Sequence, residues 1–186
     1  NGGSQLALGS AADAAAMANV YVNTNMAACG GLVAAMILAS LLYGKVDLTL
    51  ALNGALAGLV SITAGPDVAT PLQAILIGAI GGILCTLAIP LLDKFKIDDV
   101  VGAISVHLVS GIWGTLVVGI PGLNGSGDFT TQLIGVVIIG VFVTVVSTIV
   151  WLILRAVTGL RPSEEEEMTG LDVSELGMEA YPEFRN

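Results

Sequence analysis

The sequence predicts an all-α integral membrane protein: about five apolar helices followed by a short acidic tail. Three observations carry the prediction. Of the 186 residues, 55% are hydrophobic and only 11% charged, whereas water-soluble domains carry about a quarter charged residues. The mean hydropathy is +0.91. The charges are also bunched, leaving uncharged runs at 14–44, 48–66, 68–92, 100–127 and 129–154. About 20 apolar residues suffice to cross the hydrocarbon core of a bilayer, and each run approaches or exceeds that length.

The elements follow in order. An Ala-rich segment leads into a first span over roughly 15–42, which stops at Tyr43-Gly44-Lys45. A glycine-rich second span covers about 48–63 and stops at Gly65-Pro66-Asp67. The third, about 70–92, closes on Asp93-Lys94-Phe95-Lys96. The fourth, about 100–120, opens after Asp98-Asp99, whose carboxylates suit the free amides and positive end of a helix start, and ends at Pro121-Gly122. The fifth, about 130–157, ends near Arg155. Glycines four apart, Gly54 with Gly58 and Gly78 with Gly82, allow close approach of backbones in lipid. Asn23, Thr24 and Asn25 lie mid-span in the first helix, where hydrogen bonding between helices would satisfy them.

With five alternating spans, Lys45, Lys94, Lys96, Arg155 and Arg161 fall on one side, and the opposite loops carry Asp67 and Asp128 without a basic residue. The positive-inside rule makes the first side cytoplasmic, within a plasma (inner) membrane. The net charge of −9 is concentrated in the tail, which holds Glu164 to Glu167 and four further acids. The chain thus divides into a transmembrane bundle, 1–159, and a cytoplasmic tail, 160–186. Ser163 with Glu166 fits a capping box at the start of a short tail helix. No basic patch is present to neutralise phosphates, so a nucleic-acid partner is not expected. Cys29 and Cys85 stand alone within spans and read as small buried hydrophobes rather than as a disulfide or a zinc site; no cofactor is called for.

His107, the only histidine, falls eight residues after Asp99 and fourteen before Pro121, about 12 Å and about 21 Å along a helix of 1.5 Å rise. On an α-helix Ala103, Ser110, Gly111 and Gly114 share its face, so the ring projects from a stripe of small residues. That face either packs closely on a neighbour or lines a narrow passage. Ionisable groups at such depth commonly mark pathways or relays, and a desolvated neutral imidazole offers one donor and one acceptor. Serine-histidine catalysis is not expected: Ser105 points elsewhere, Ser110 is tethered to the same helix, and no second histidine exists.

The run Asp98-Asp99-Val100-Val101-Gly102-Ala103-Ile104-Ser105-Val106-His107-Leu108-Val109-Ser110-Gly111-Ile112-Trp113-Gly114-Thr115 resembles a signature of the ammonium transporter family (Amt/Mep, related to Rh proteins). Val22-Asn23-Thr24-Asn25, Gly54-Ala55-Leu56-Ala57-Gly58-Leu59-Val60 and Gly170-Leu171-Asp172-Val173-Ser174 resemble further family segments in the same order. The resemblance covers nearly the whole chain. It implies the C-terminal five-helix portion of an eleven-helix fold that assembles as a homotrimer, each subunit conducting ammonium or ammonia through its own hydrophobic pore.

By that resemblance, His107 matches the second member of a pore-lining histidine pair, and Ser4 matches a serine that helps hold ammonium at the outer mouth, where it is deprotonated. The first histidine, the recruiting tryptophan and the gating phenylalanine are then expected upstream of Asn1. Gly170, Leu171, Asp172, Ser174, Gly177 and Tyr181 match a cytoplasmic regulatory segment that communicates with PII-type signal proteins. A relative that senses ammonium through its tail with little flux is the alternative. Two departures stand out: Gly102, where some members carry an acid, and Leu108, where glycine is common and where the larger side chain narrows the room beside the imidazole.

Overall fold

A computed structural model describes residues 1–125 and 127–184, except for the side chain of Phe184. All regular structure among the described residues is helical. The chain forms two compact units, Asn1–Ile138 and Ile139–Asn186.

In the first unit a 3-10 turn, Gly2–Gln5, precedes helix α1 (Ala11–Tyr43). The Ser10 hydroxyl caps α1 by accepting from the Asp13 amide at 3.1 Å, and Gly44 ends it in the left-handed region at φ 73°. Helix α2 (Leu48–Ile62) starts on Asp47, which accepts from the Leu50 amide at 2.8 Å. Helix α3 (Pro71–Lys94) starts with a full capping box between Thr70 and Gln73 and a proline in its first turn, the place where a missing N–H costs nothing. After a loop through Asp98 and Asp99, the chain enters a π-helical segment, Ile104–Val109, that runs on directly as α4 (Ser110–Val117). Asp128 then accepts from the Thr131 amide at 2.8 Å at the start of α5 (Phe129–Val157).

The packing is the reverse of a water-soluble core. Alanines are buried, including Ala27, Ala35, Ala57 and Ala74, while Val33, Ile37, Leu41, Leu72, Leu76 and Leu87 are exposed. A hydrocarbon solvent accounts for this, because it gains nothing from hiding leucine and rewards close contact between backbones. Gly31 sits at the crossing of three helices: an added Cβ would strike Gly54 and Gly58 of α2, while one on Gly82 of α3 would strike Gly31. The paired glycines read from the sequence therefore do bring α1, α2 and α3 together.

The loop between α2 and α3 is strapped from both sides. Asn23 of α1 donates from Nδ2 to the carbonyls of Pro66 at 2.9 Å and Ala69 at 2.5 Å. Asn124, beyond α4, donates to the Gly65 carbonyl at 3.0 Å. Thr24 instead accepts from Asn1 at 3.1 Å, and Asn25 is exposed.

Among the described residues α1, α3 and α5 are long and apolar enough to cross a membrane, and two further apolar helices, Leu48–Ile62 and Ile104–Val117, are shorter. Two expectations are corrected. The fourth helix is shorter than the 100–120 run because Gly102, at φ 76°, breaks the chain before it. Cys29 is exposed on α1, whereas Cys85 is buried as expected.

In the second unit, α5 carries its large apolar side chains exposed, Phe142, Ile149 and Trp151 among them. Two short tail helices follow, α6 (Glu164–Thr169) and α7 (Leu171–Ser174). The Ser163–Glu166 capping box is present.

Candidate functional site

His107 lies within the π-helical segment. The turn is anchored by Asp99, whose carboxylate accepts from the amides of Ile104 at 2.9 Å and Ser105 at 3.0 Å and from the Ser105 hydroxyl at 3.0 Å. Partial burial pushes the Asp99 carboxyl up, but these donors outweigh it and hold it below the usual carboxylate range. Capping by one of the two aspartates is thus as the sequence suggested; sequence reasoning did not anticipate that Asp99 reaches five and six residues ahead.

The helix begins so close to His107 that the ring stands only about 5 Å along it, not the 12 Å expected from a helix starting at Asp99. The face is also different. Ser110 and Gly114 are buried, Ser110 donating to the Gly81 carbonyl at 3.4 Å, while His107, Ala103 and Leu108 are exposed and Gly111 is half-buried. The α-helical reading put Ser110 and Gly114 beside the imidazole. Bonding from i to i+5 winds the chain by about 80° per residue rather than about 100°, and this swings both residues inward.

Neighbouring contacts lock the segment. Val106 packs with Ala57 of α2 and Cys85 of α3. The Trp113 indole donates to the Ile77 carbonyl at 3.0 Å, and a Cβ on Gly114 would lie 2.5 Å from the Ser61 carbonyl oxygen. The sequence signals for these contacts were the small residues at spacings of three and four. Gly102 also has a structural reason: besides its positive φ, an added Cβ would approach Asn53 Nδ2 to 2.8 Å. The imidazole itself takes no hydrogen bond among the described residues. Its ring is exposed, while Ser105 and Val106 of the same segment are packed.

Ser4 is exposed on the 3-10 turn, which packs on α1 and does not touch the His107 segment. In the tail, Asp172 closes a turn: its carboxylate accepts from the Ala180 amide at 2.9 Å, and its carbonyl from the Met178 amide at 3.0 Å. Gly170 at φ 101° and Gly177 at φ 65° supply the turns on either side. Leu171, Ser174 and Tyr181 are exposed.

Apolar helices with small residues inside and large ones outside define a helical membrane protein. The chain belongs to the Ammonium Transporter Family, whose profile matches residues 1–181. It is 39% identical over 180 residues to ammonium transporter Amt2 of Archaeoglobus fulgidus, covering 87% of this chain and 38% of that protein. Amt2 of Methanocaldococcus jannaschii is 38% identical, with 98% and 43% covered. Among solved structures, a Sensor Amt Protein superposes with a TM-score of 0.84 at 35% identity, covering 94% of this chain and 44% of that one. Saccharomyces cerevisiae Mep2 superposes with a TM-score of 0.75 at 26% identity, covering 89% and 40%. The chain therefore spans roughly two fifths of the length of the relatives it matches, as a helical portion of their fold.

Proposed function

We propose that this chain forms part of a passage for ammonium or ammonia across a membrane, with His107 lining it. The observation that carries the reading is the exposed imidazole on the π turn, without a hydrogen bond among the described residues. Carrying a bare cation through about 30 Å of hydrocarbon is costly, whereas ammonia is small and neutral. A neutral imidazole can accept from or donate to such a solute in a dry passage. In this reading ammonium is held and deprotonated at an outer mouth that includes the Ser4 hydroxyl, and ammonia moves along a histidine pair. A single histidine is present here, so the facing ring comes from outside these residues. The process is transport, not catalysis.

Residues 1–159 form the membrane portion in the plasma (inner) membrane, and 160–186 the cytoplasmic tail. The subunits assemble as a homotrimer. The Asp172-centred turn, with Gly170, Leu171, Ser174, Gly177 and Tyr181, is the regulatory element and the contact for a PII-type protein. Methylammonium uptake by the full-length protein, with and without His107→Ala, tests the pore role; unaltered flux, pH dependence and selectivity in the variant would sink it. A second reading, a sensor that binds ammonium but reports through its tail, is favoured by the superposition on a Sensor Amt Protein. It expects negligible flux from the outset and loss of signalling when 163–186 are deleted.

A further inference from the structure

We propose that Gly111 sets the room beside His107 and thereby the size of solute that can pass the imidazole. This deepens the transport reading above and rests on it. Glycine inside a helix is less favourable than alanine, because it gives up more backbone freedom on ordering, so each one there needs a reason. Three glycines stand between Asp99 and Val117. Gly102 takes φ 76°, and a Cβ on it would approach Asn53 Nδ2 to 2.8 Å. Gly114 lies against α2, where a Cβ would meet the Ser61 carbonyl oxygen at 2.5 Å. Gly111 has neither constraint: its φ is not positive, and the contact that an added Cβ would make is with Val60 Cγ1 at 3.7 Å, an ordinary van der Waals distance. Gly135 and Gly140 of α5 are as free of contacts, but no residue of that helix is buried. The α4 helix is packed through Ser110, Gly114 and Val117, so on it a glycine that packing does not require stands out.

Its place supplies the reason. Gly111 follows His107 by four residues, so it lies within about 40° of the ring around the helix whether the turns are counted at about 100° or about 80° per residue. Ala103 precedes the ring by the same spacing; Ala103 and His107 are exposed, and Gly111 is half-buried. The imidazole therefore stands between two of the smallest side chains, in a strip bordered by Leu108, 54% exposed, and by Val60 of α2. A solute that hydrogen-bonds an imidazole nitrogen needs space next to the ring, and apolar walls discriminate by volume. Ammonia and methylamine offer the same hydrogen-bonding nitrogen and differ by one methyl group. In an apolar site one such carbon is worth roughly 10–200-fold in rate. A Cβ at position 111, which no neighbouring backbone opposes, would project into the strip and take the space of that methyl group.

Initial rates for ammonium and for methylammonium, measured separately in liposomes carrying the full-length protein, test this beside the unfolding temperature of each variant in detergent. Gly111→Ala is expected to keep the wild-type unfolding temperature or raise it slightly, to retain most of the ammonium flux, and to lower methylammonium flux relative to ammonium by about tenfold or more. Loss of both fluxes at the wild-type unfolding temperature supports the proposal too, as a passage left too narrow for either solute. An unchanged ratio with both fluxes retained overturns it. So does a loss of both fluxes with a lowered unfolding temperature, or a Gly111→Ala protein that does not accumulate, since either marks Gly111 as a place of close helix packing. A wild-type protein that carries neither solute overturns the transport reading and this inference with it, whereas wild-type flux with an unchanged ratio in Gly111→Ala overturns this inference alone.

Discussion

Replacing Asn23 tests whether hydrogen bonding or volume dominates the buried strap. The side chain is fully buried, its Nδ2 donates to two buried loop carbonyls, and its Oδ1 has no partner. Asn23→Ala orphans the carbonyls of Pro66 and Ala69, each at about 1–3 kcal/mol, and removes one orphan oxygen of similar cost, so the net loss is about 1–3 kcal/mol. Asn23→Asp keeps the volume but replaces the donor by an oxygen facing two carbonyls. It either buries an unpaired charge, at about 3–5 kcal/mol, or protonates and supplies one donor where two bonds existed. The protonated form costs no more than alanine, so the charge is the deciding case: at alkaline pH, where the carboxyl is ionised, thermal unfolding of the full-length protein in detergent should rank wild type above Asn23→Ala and Asn23→Ala above Asn23→Asp. A volume argument predicts the opposite order for the two variants, because alanine leaves a void and aspartate does not. An Asp variant as stable as the Ala variant would refute the strap as a hydrogen-bonding device.

Two further outcomes are expected. Gly114→Val should lower the unfolding temperature by an amount equivalent to about 1–3 kcal/mol, since the new Cβ meets backbone atoms of Ser61 at 2.5 Å and 2.9 Å that cannot rotate away; Gly111→Ala, whose Cβ would lie 3.7 Å from Val60, should be neutral or slightly stabilising by the same measurement. The tail turn should loosen in acid: the Ala180 amide, despite slight opposing desolvation, holds the Asp172 carboxyl below its ordinary value, so its stabilisation is complete above the ordinary carboxylate pKa and is lost as pH falls through the depressed one. Exchange of the Ala180 amide, corrected for intrinsic rate, should speed up over that window, and a flat profile would remove Asp172 as the turn's anchor.

Much of the framework was legible because membrane helices announce themselves by what they exclude. Uncharged runs located α1, α3 and α5, and Gly54, Gly58, Gly78 and Gly82 marked the crossings that the packing uses. The capping box at Ser163 and Glu166 was readable from spacing alone. The π turn was not. Nothing in Ala103 to Ser110 announces i to i+5 bonding; what Asp99 and the backbone angle of Gly102 set is the start of the helix. Hence the stripe of small residues was real, but its assignment to the imidazole's face was half wrong. Asn23 was expected to join two helices and instead holds a loop, because a tight turn exposes carbonyls that helices satisfy internally.

The lipid environment links these features to the candidate site. Between helices surrounded by hydrocarbon, burying larger side chains gives little advantage, so orientation depends on close backbone contact and on polar groups that cannot be left unpaired. The α4 helix obtains the first from Gly114 against Ser61 and the second from Trp113 on Ile77 and Ser110 on Gly81. All three contacts hold the packed side of α4, turned away from the imidazole. The start of the segment that carries His107 is capped by Asp99. A ring mounted in this way can face a dry passage without a hydrogen bond of its own, and its two nitrogens remain available to a small passing solute. Substitutions behind α4 should therefore change stability first.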